Sequence, residues 1–209
     1  MSSEVIIALR MGLVTAVLTG LVYPLGVTAI AQTAFHDAAV GSFVVDERAA
    51  VVGSTLIGQT FTHPGYLHGR PSAAGAGYDA TASGGSNLGP TSQALRERVA
   101  ETAAQLVAAN PDAPGPVPAE LVLASASGLD PHLSPDAALW QAPRIATARG
   151  IDVARVRAIV EAGIEGRVLG VLGEPRVNVL SINLALDRQF GAPARPSRLA
   201  PSRPAAEPR

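Results

Sequence analysis

Two absences exclude many kinds of chemistry from this chain. Its 209 residues include no cysteine, and all sixteen of its basic residues are arginine, so lysine is missing as well. Without cysteine the chain has no disulfide, no thiolate nucleophile and no cysteine-ligated zinc or iron–sulfur site. Without lysine it has no Walker A phosphate loop, no Schiff-base amine and no kinase-type phosphate lysine.

Aromatic content and net charge are also low. Aromatic residues make up 4% of the sequence, and the formal net charge is −1. A core must therefore be built mainly from Ala, Val, Leu and Ile, and the basic stripe of a nucleic-acid-binding protein is missing. Roughly 155 residues separate the apolar N-terminal run from the C-terminal tail, which is enough for one domain with its own core.

The apolar run extends from Met11 to Phe35 and contains no charged side chain. Its first 21 residues would form a helix about 31 Å long, which matches the hydrocarbon thickness of a bilayer. We predict a transmembrane helix over residues 11–35, kinked at Pro24, with small residues against which other helices can pack. Arg10 precedes the run and mainly acidic residues follow it. The positive-inside rule therefore predicts a cytoplasmic N-terminus over residues 1–10 and an extracytoplasmic location after residue 36.

A cleaved secretory signal is the alternative interpretation of the same run. Ala29-Ile30-Ala31 has the small-x-small pattern of a cleavage site, and Arg10 could serve as its positive n-region. The length of the apolar stretch and the presence of Glu4 favour a retained anchor. Both interpretations place the rest of the chain outside the cytoplasm.

The remaining sequence predicts an α+β fold, with one mixed domain over residues 36–191 and a disordered Pro-, Ser- and Arg-rich tail over residues 192–209. We expect strands at 49–57 and 168–172, and helices at 90–109, 134–149, 152–160 and 178–190. A long loop, Gln59 to Leu88, lies between the first strand and the first of these helices. It contains three aromatic residues, which plain linkers seldom carry, so we expect it to be ordered by contact.

Several polar clusters invite a catalytic or metal-binding interpretation. His63 and His68 are separated by a Pro-Gly break and lack a nearby carboxylate, so capping is favoured over metal binding. Ser125, Ser127 and Asp130 lie close to His132, but the chain has no nucleophile elbow, so these residues are expected to form turns and caps. The glycine-rich segment 83–87 is only a weak anion-binding signal.

Two arginines are better placed for recognition. Arg70 lies between Gly and Pro, and Arg144 lies on the predicted 134–149 helix. Each is suited to a bidentate partner, either a carboxylate within the fold or one across an interface. We favour an internal salt bridge for both.

Together these segments resemble the C subunit of the Kdp-type potassium-transporting ATPase. The resemblance covers roughly residues 10 to 190 and rests on many motifs in one order. The carrying motifs are Tyr23-Pro24, Gly53-Ser54 with Gly58-Gln59-x-Phe61, Gly65-Tyr66-x-His68-Gly69-Arg70-Pro71-Ser72, Ala82 to Leu88, Ala124 to Asp130 with Ser134-Pro135, Ala138-x-Trp140-Gln141-x-Pro143-Arg144, Gly173-x-Pro175-x-Val177-Asn178-Val179 and Asn183 to Asp187.

The resemblance implies a single-pass subunit of the bacterial inner membrane in an ATP-driven, high-affinity potassium uptake complex. Its partners would be a channel-like potassium-translocating subunit, a P-type ATP-hydrolysing subunit and a small single-span subunit. The chain would not be an enzyme by itself, because a P-type pump needs a lysine after its phosphorylated aspartate and this chain has none. The runner-up is an anchored or secreted extracytoplasmic binding module without an ATPase partner.

The resemblance also implies a catalytic chaperone that raises the ATP affinity of the pump. Its nucleotide-binding residues would be Ser125, Ser127, Gly128 and Asp130, with ATP the only implied cofactor. This conflicts with the predicted topology, because ATP is cytoplasmic. We therefore expect a structural role in assembly, through an interface formed by Gln59, Phe61, Tyr66, Arg70, Asn87 and Arg144.

Overall fold

The N-terminal part of the chain is a long helix with one irregular turn. The computed structural model describes residues 2–45 and 50–193, and it divides into two compact units, Met1–Leu56 and Ile57–Arg209. Helices α1 (Ser2–Val17) and α2 (Tyr23–Ala34) are joined by a π-helical turn at Leu18–Val22. None of the described side chains in this helix is buried, and the helix is long and apolar enough to cross a membrane.

The π-turn lies directly before the proline. Pro24 has no N–H, and its ring would clash with the carbonyl of residue 20 in a regular α-helix. The Tyr23 N–H instead donates to the Leu18 carbonyl, five residues back. The wider turn accommodates the proline, and it marks the place where a kink was predicted.

A short hairpin completes the first unit. After α3 (His36–Ala39), strand β1 (Phe43–Val45) pairs antiparallel with β2 (Val51–Ser54), with a register shift between Val44 and Val45. The strand predicted at 49–57 is confirmed at β2, whereas no periodic signal indicated β1. The second unit begins at Ile57, and the extent of the soluble domain from residue 36 stays a prediction.

The second unit packs helices around a small antiparallel sheet. Its helices are α4 (Gln93–Ala109), α5 (Pro135–Trp140), α6 (Ala142–Arg149), α7 (Val153–Ala162) and α8 (Val179–Phe190), with a 3₁₀ turn at Ala119–Leu121. Its strands β3 (His132–Leu133), β4 (Ile164–Glu165) and β5 (Arg176–Asn178) form a sheet in the order β3-β5-β4. The mixed α+β class is confirmed.

The core lies between α5–α8 and the sheet. Leu133, Ile145, Val156, Val177 and Leu186 are essentially inaccessible to solvent, and Trp140 is 3% exposed. The core is mostly aliphatic, as the composition predicted. Loop residue Leu67 belongs to the same buried cluster, so the core includes part of the long loop.

Local capping explains the helix starts. Ser92, Ser134, Asp152 and Asn178 each accept a hydrogen bond from an amide in the first turn of α4, α5, α7 and α8. Gly150 ends α6 at φ +64°, a left-handed conformation that favours glycine.

Two predicted elements differ from the structure. The predicted 134–149 helix is two helices with a break at Gln141, because Pro143 starts a new first turn and cannot continue the earlier one. The predicted strand at 168–172 is wrong: only one isolated bridge joins Val168 to Leu172, across a tight turn. Residues 194–209 of the predicted disordered tail lie outside the described residues.

Candidate functional site

The long loop contains no helix or strand, yet it is held along its length. At its centre, two buried amide side chains bind the backbone of consecutive residues. Asn183 accepts from the Leu67 N–H at 2.7 Å and donates to the Leu67 carbonyl at 2.9 Å. Gln141 does the same with His68, at 3.0 Å for both bonds. Each amide therefore replaces a neighbouring strand as the loop's partner.

Arg144 closes one side of this arrangement. It is 8% exposed and donates to the carbonyls of Pro64 at 2.5 Å and Tyr66 at 3.1 Å, and to Gln141 Oε1 at 2.7 Å. Burial lowers its pKa to about 10, so it stays charged at neutral pH. The internal salt bridge predicted for Arg144 is wrong, because its acceptors are uncharged oxygens.

Arg149 closes the other side, with a side chain that is 2% exposed. Its guanidinium binds Asp187 Oδ1 at 2.8 Å, the carbonyl of Gly65 at 2.6 Å and the carbonyl of Gly191 at 2.8 Å. It also lies 5.1 Å from the centroid of the Tyr66 ring, in cation–π geometry. We call Gln141, Arg144, Arg149, Asn183 and Asp187 the clamp.

Tyr66 is the loop's own contribution to the clamp. Its hydroxyl donates to Asp187 Oδ2 at 2.8 Å, and its ring lies 5.6 Å from that of Phe61. Burial, together with this hydrogen bond, raises the pKa of Tyr66 to about 12. The phenol is therefore neutral at ordinary pH and acts as a hydrogen-bond donor to Asp187.

The part of the loop that follows Gly69 packs on the 124–132 segment. Arg70 pairs with Asp130 at 3.3 Å and donates to the carbonyl of Ala124, while Tyr78 donates to the carbonyl of Arg70 at 2.5 Å. The internal salt bridge predicted for Arg70 is confirmed. The Ser72 hydroxyl donates to the Gly128 carbonyl at 2.6 Å.

The four candidate nucleotide-binding residues lie within this contact. Ser125 is 7% exposed, Ser127 Oγ accepts from the Leu129 N–H at 3.1 Å, and Asp130 Oδ1 accepts from the His132 N–H at 3.0 Å. Gly128 has φ +67°, and a Cβ there would come within 2.6 Å of backbone atoms of the loop. The predicted turn role is confirmed for Ser127 and Asp130, whereas the predicted capping of the next helix is wrong, because Ser134 caps α5.

The six candidate interface residues are mostly occupied within the domain. Tyr66, Arg70 and Arg144 make the contacts above, and Gln59 and Phe61 are half-buried. Asn87 alone among the six is exposed, with φ +51°. Their place at an interface remains a prediction.

The two loop histidines support turns. His63 Nδ1 accepts from the Gly65 N–H at 3.0 Å, and His68 Nε2 lies 3.0 Å from the His63 carbonyl. Burial first, and the charge of Arg144 second, lower the pKa of His68 to about 4. Within residues 2–45 and 50–193, no group of three or more His, Asp and Glu side chains could hold a metal ion.

Sequence reasoning missed Arg149, Asn183 and Asp187 as the residues that hold the loop. The sequence offered two signals: Asn183 and Asp187 lie in one of the motifs quoted above, and Arg149 lies at the end of a predicted helix. Neither signal indicates which residue the side chain contacts.

The chain is similar to proteins of one known family over most of its length. Residues 5–188 match the family model described as "K+-transporting ATPase, c chain". The chain belongs to the KdpC family. A KdpC subunit of a potassium-transporting ATPase from Myxococcus xanthus is 64% identical over 191 residues, which cover 91% of this chain and 90% of that protein.

Other KdpC subunits agree over similar lengths. One from Rhodospirillum rubrum is 55% identical, over 83% of this chain and 89% of its own length. One from Rhodopseudomonas palustris is 51% identical, over 90% of this chain and 98% of its own length. The resemblance drawn from the motifs is therefore confirmed. The KdpC relatives are named as subunits of the potassium-transporting ATPase, and the family is not one of stand-alone enzymes.

Proposed function

We propose that this chain is a non-catalytic accessory subunit of a high-affinity, ATP-driven potassium uptake complex in the bacterial inner membrane. It would assist the assembly and stability of a channel-like potassium-translocating subunit, a P-type ATP-hydrolysing subunit and a small single-span subunit. Family membership and a helix long enough to cross a membrane both support this proposal.

The observation that carries the proposal is the direction of the polar side chains. Arg144, Arg149, Asp187 and Asp130 all bond to the loop or to its backbone. Their charge maintains the shape of the 59–88 loop and is not held ready for a reacting group. A fixed surface of this kind suits recognition by a partner protein.

The proposed orientation has the N-terminus in the cytoplasm and the domain outside. Arg10 before the apolar run supports it through the positive-inside rule. The cysteine-free sequence makes a direct test simple. A single Ala104→Cys variant should react with a membrane-impermeant maleimide on intact spheroplasts, whereas Ser3→Cys should react only after lysis. The reverse pattern would refute the orientation.

An effect on the pump's ATP affinity would then be indirect. In the proposed topology the Ser125–Asp130 segment faces the outside, and its contacts support its own turns and the loop. We expect the KM of the pump for ATP to rise when this subunit is removed, while the isolated chain shows no ATP binding by calorimetry. Tight nucleotide binding by the isolated chain would restore the direct role for Ser127 and Asp130.

The decisive experiment is gentle detergent extraction through an affinity tag, with mass analysis of the co-eluting proteins and of this chain's N-terminus. Elution of the intact chain with a multi-span channel subunit and a P-type ATPase supports the proposal. A chain that begins at Gln32 and elutes alone would identify the apolar run as a cleaved signal and refute it.

A further inference from the structure

A small hairpin between β4 and β5 presents apolar side chains to solvent. Val168 and Leu172 exchange two backbone hydrogen bonds of 2.9 Å and so close the turn. Around it, Val168, Leu169, Val171 and Leu172 are 61%, 87%, 71% and 59% exposed. Residues 167–174, which we call the tip hairpin, are thus an exposed and contiguous apolar patch.

The tip hairpin stands clear of the rest of the described domain. A Cβ added at Gly166, Gly170 or Gly173 would meet no atom within 4 Å. Leu169 and Gly170 have φ of +53° and +76°, the left-handed pair typical of a type I′ turn. Asn, Asp or Gly is favoured at the first of these positions. A leucine there adopts an unfavourable backbone conformation while its apolar side chain stays exposed.

The charges beside the patch are already neutralised. Arg167 pairs with Glu174 at 2.7 Å, and Arg176 pairs with Glu165 at 2.9 Å. Neither pair leaves a cation directed at lipid phosphates. The hairpin also lacks the Trp, Tyr and Lys that typify contacts with a membrane surface. An apolar recess in a protein is the better chemical complement.

The size of the patch limits which protein can occupy it. Four aliphatic side chains at these exposures present on the order of 400 Å², against the ~800 Å² per partner that a stable interface buries. A dimer made by two tip hairpins would therefore be too small to persist. A partner needs a second point of attachment, and the N-terminal helix, with no buried side chain, provides one.

We infer that the tip hairpin docks in an apolar recess on the extracytoplasmic surface of an integral membrane subunit of the pump, one that the N-terminal helix also contacts. This inference rests on the proposed function. The closed turn and the two ion pairs hold the hairpin in shape beforehand, so docking orders few groups and loses little conformational entropy.

Co-purification of the pump subunits with variants of the full tagged chain tests the inference. Leu169→Asn with Val171→Asn removes two aliphatic side chains that are 87% and 71% exposed. Val107→Asn is the matched control, because Val107 is also exposed, at 55%, but lies on α4. We expect the double variant to retain about tenfold less of the pump subunits than the control after dilution and washing. Its unfolding temperature should not fall below that of the parent chain.

Equal recovery with the double variant and with Val107→Asn would overturn the inference and leave the proposed function standing. Failure of the parent chain itself to recover pump subunits would overturn the proposed function and the inference with it. The two failures are therefore distinguishable.

A fluorescent reporter identifies what covers the hairpin. Val171→Cys introduces the chain's single thiol, which can carry an environment-sensitive dye. We expect a blue shift of emission in the assembled complex that spin-labelled lipids do not quench. Quenching by such lipids would assign the hairpin to the bilayer, and a blue shift in the isolated chain that depends on its concentration would assign it to a second copy. Either result would overturn the inference.

Discussion

The 59–88 loop and the tip hairpin are both poor in regular structure, but their side chains face opposite directions. The loop gives its aromatic and charged groups to internal contacts with the clamp and with the 124–132 segment. The hairpin gives almost nothing to the domain and presents Val and Leu to solvent. Irregular backbone is therefore no guide to where a binding surface lies. The direction of the side chains is the better guide.

The largest effect should come from Arg149→Ala. The substitution leaves Asp187 without its cation and the carbonyls of Gly65 and Gly191 without their donor, in a site where the arginine side chain is 2% exposed. We expect a loss of about 3–5 kcal/mol in the free energy of unfolding, measured by denaturant titration in detergent.

Arg167→Ala is the matched control for this prediction. Arg167 also forms a 2.7 Å ion pair, but its side chain is 45% exposed and belongs to the tip hairpin. An exposed pair should cost under about 1 kcal/mol when broken. Equal losses for the two arginines would remove the energetic distinction between loop and hairpin.

The next effect should come from Asn183→Ala. Both backbone polar groups of buried Leu67 would lose their partner, and we expect a cost of about 3 kcal/mol by the same titration. Gln105→Ala removes an exposed amide, bonded to Glu101 at 3.2 Å, and should change stability by less than about 0.5 kcal/mol. A neutral Asn183→Ala would mean that the bonds to the Leu67 backbone contribute little and that the other clamp residues hold the loop.

Acid should loosen the loop through His68. The pKa of His68 is about 4 in the folded protein, against the ordinary histidine value of 6.5 that applies in the unfolded chain. Below pH 6.5 the unfolded chain therefore binds a proton that the folded chain does not. The contribution is intact at pH 7 and above, and it declines as the pH falls toward 4, by about 2 kcal/mol at pH 5. Thermal unfolding at pH 7.5 and 5 should show a smaller acid shift for His68→Gln, which keeps a donor but cannot be charged in this range. An unchanged shift would refute the assignment.

The smallest effect should come from Leu169→Asn. Asparagine tolerates the left-handed backbone at φ +53° better than leucine, and no packing is lost. Stability should stay equal or rise by up to about 1 kcal/mol, measured by thermal unfolding. A clear destabilisation would show that the leucine supports the domain and is not free for a partner.

Local signals in the sequence were enough for much of the secondary structure. Ser134 and Asp152 were recognised as helix starts because a cap needs only the next three residues. The apolar run predicted the N-terminal helix because its signal is also local, being the length and composition of one continuous stretch. The loop's extent was also predictable, since no period runs from Gln59 to Leu88.

The clamp could not be predicted in this way. Asn183 and Leu67 are 116 positions apart, and an amide that binds backbone leaves no complementary residue to recognise in the sequence. Arg144 was singled out as an arginine with a fixed partner, but a salt bridge was predicted, and its backbone carbonyl partners could not be foreseen. The Val168–Leu172 run was predicted as a strand because its apolar composition does not reveal whether a neighbour exists to cover it.

The π-turn of the N-terminal helix has a geometric consequence. One extra residue is taken up between Leu18 and Val22, and each residue advances the helix by about 100°. Side chains after Val22 are therefore rotated by about that angle from where a uniform helix would place them. Gly12 and Gly26 lie on either side of the turn, so the angle between them around the helix axis differs from the angle that their spacing would give in a uniform α-helix. A straight neighbour could follow one half of this helix along its length and would have to diverge from the other.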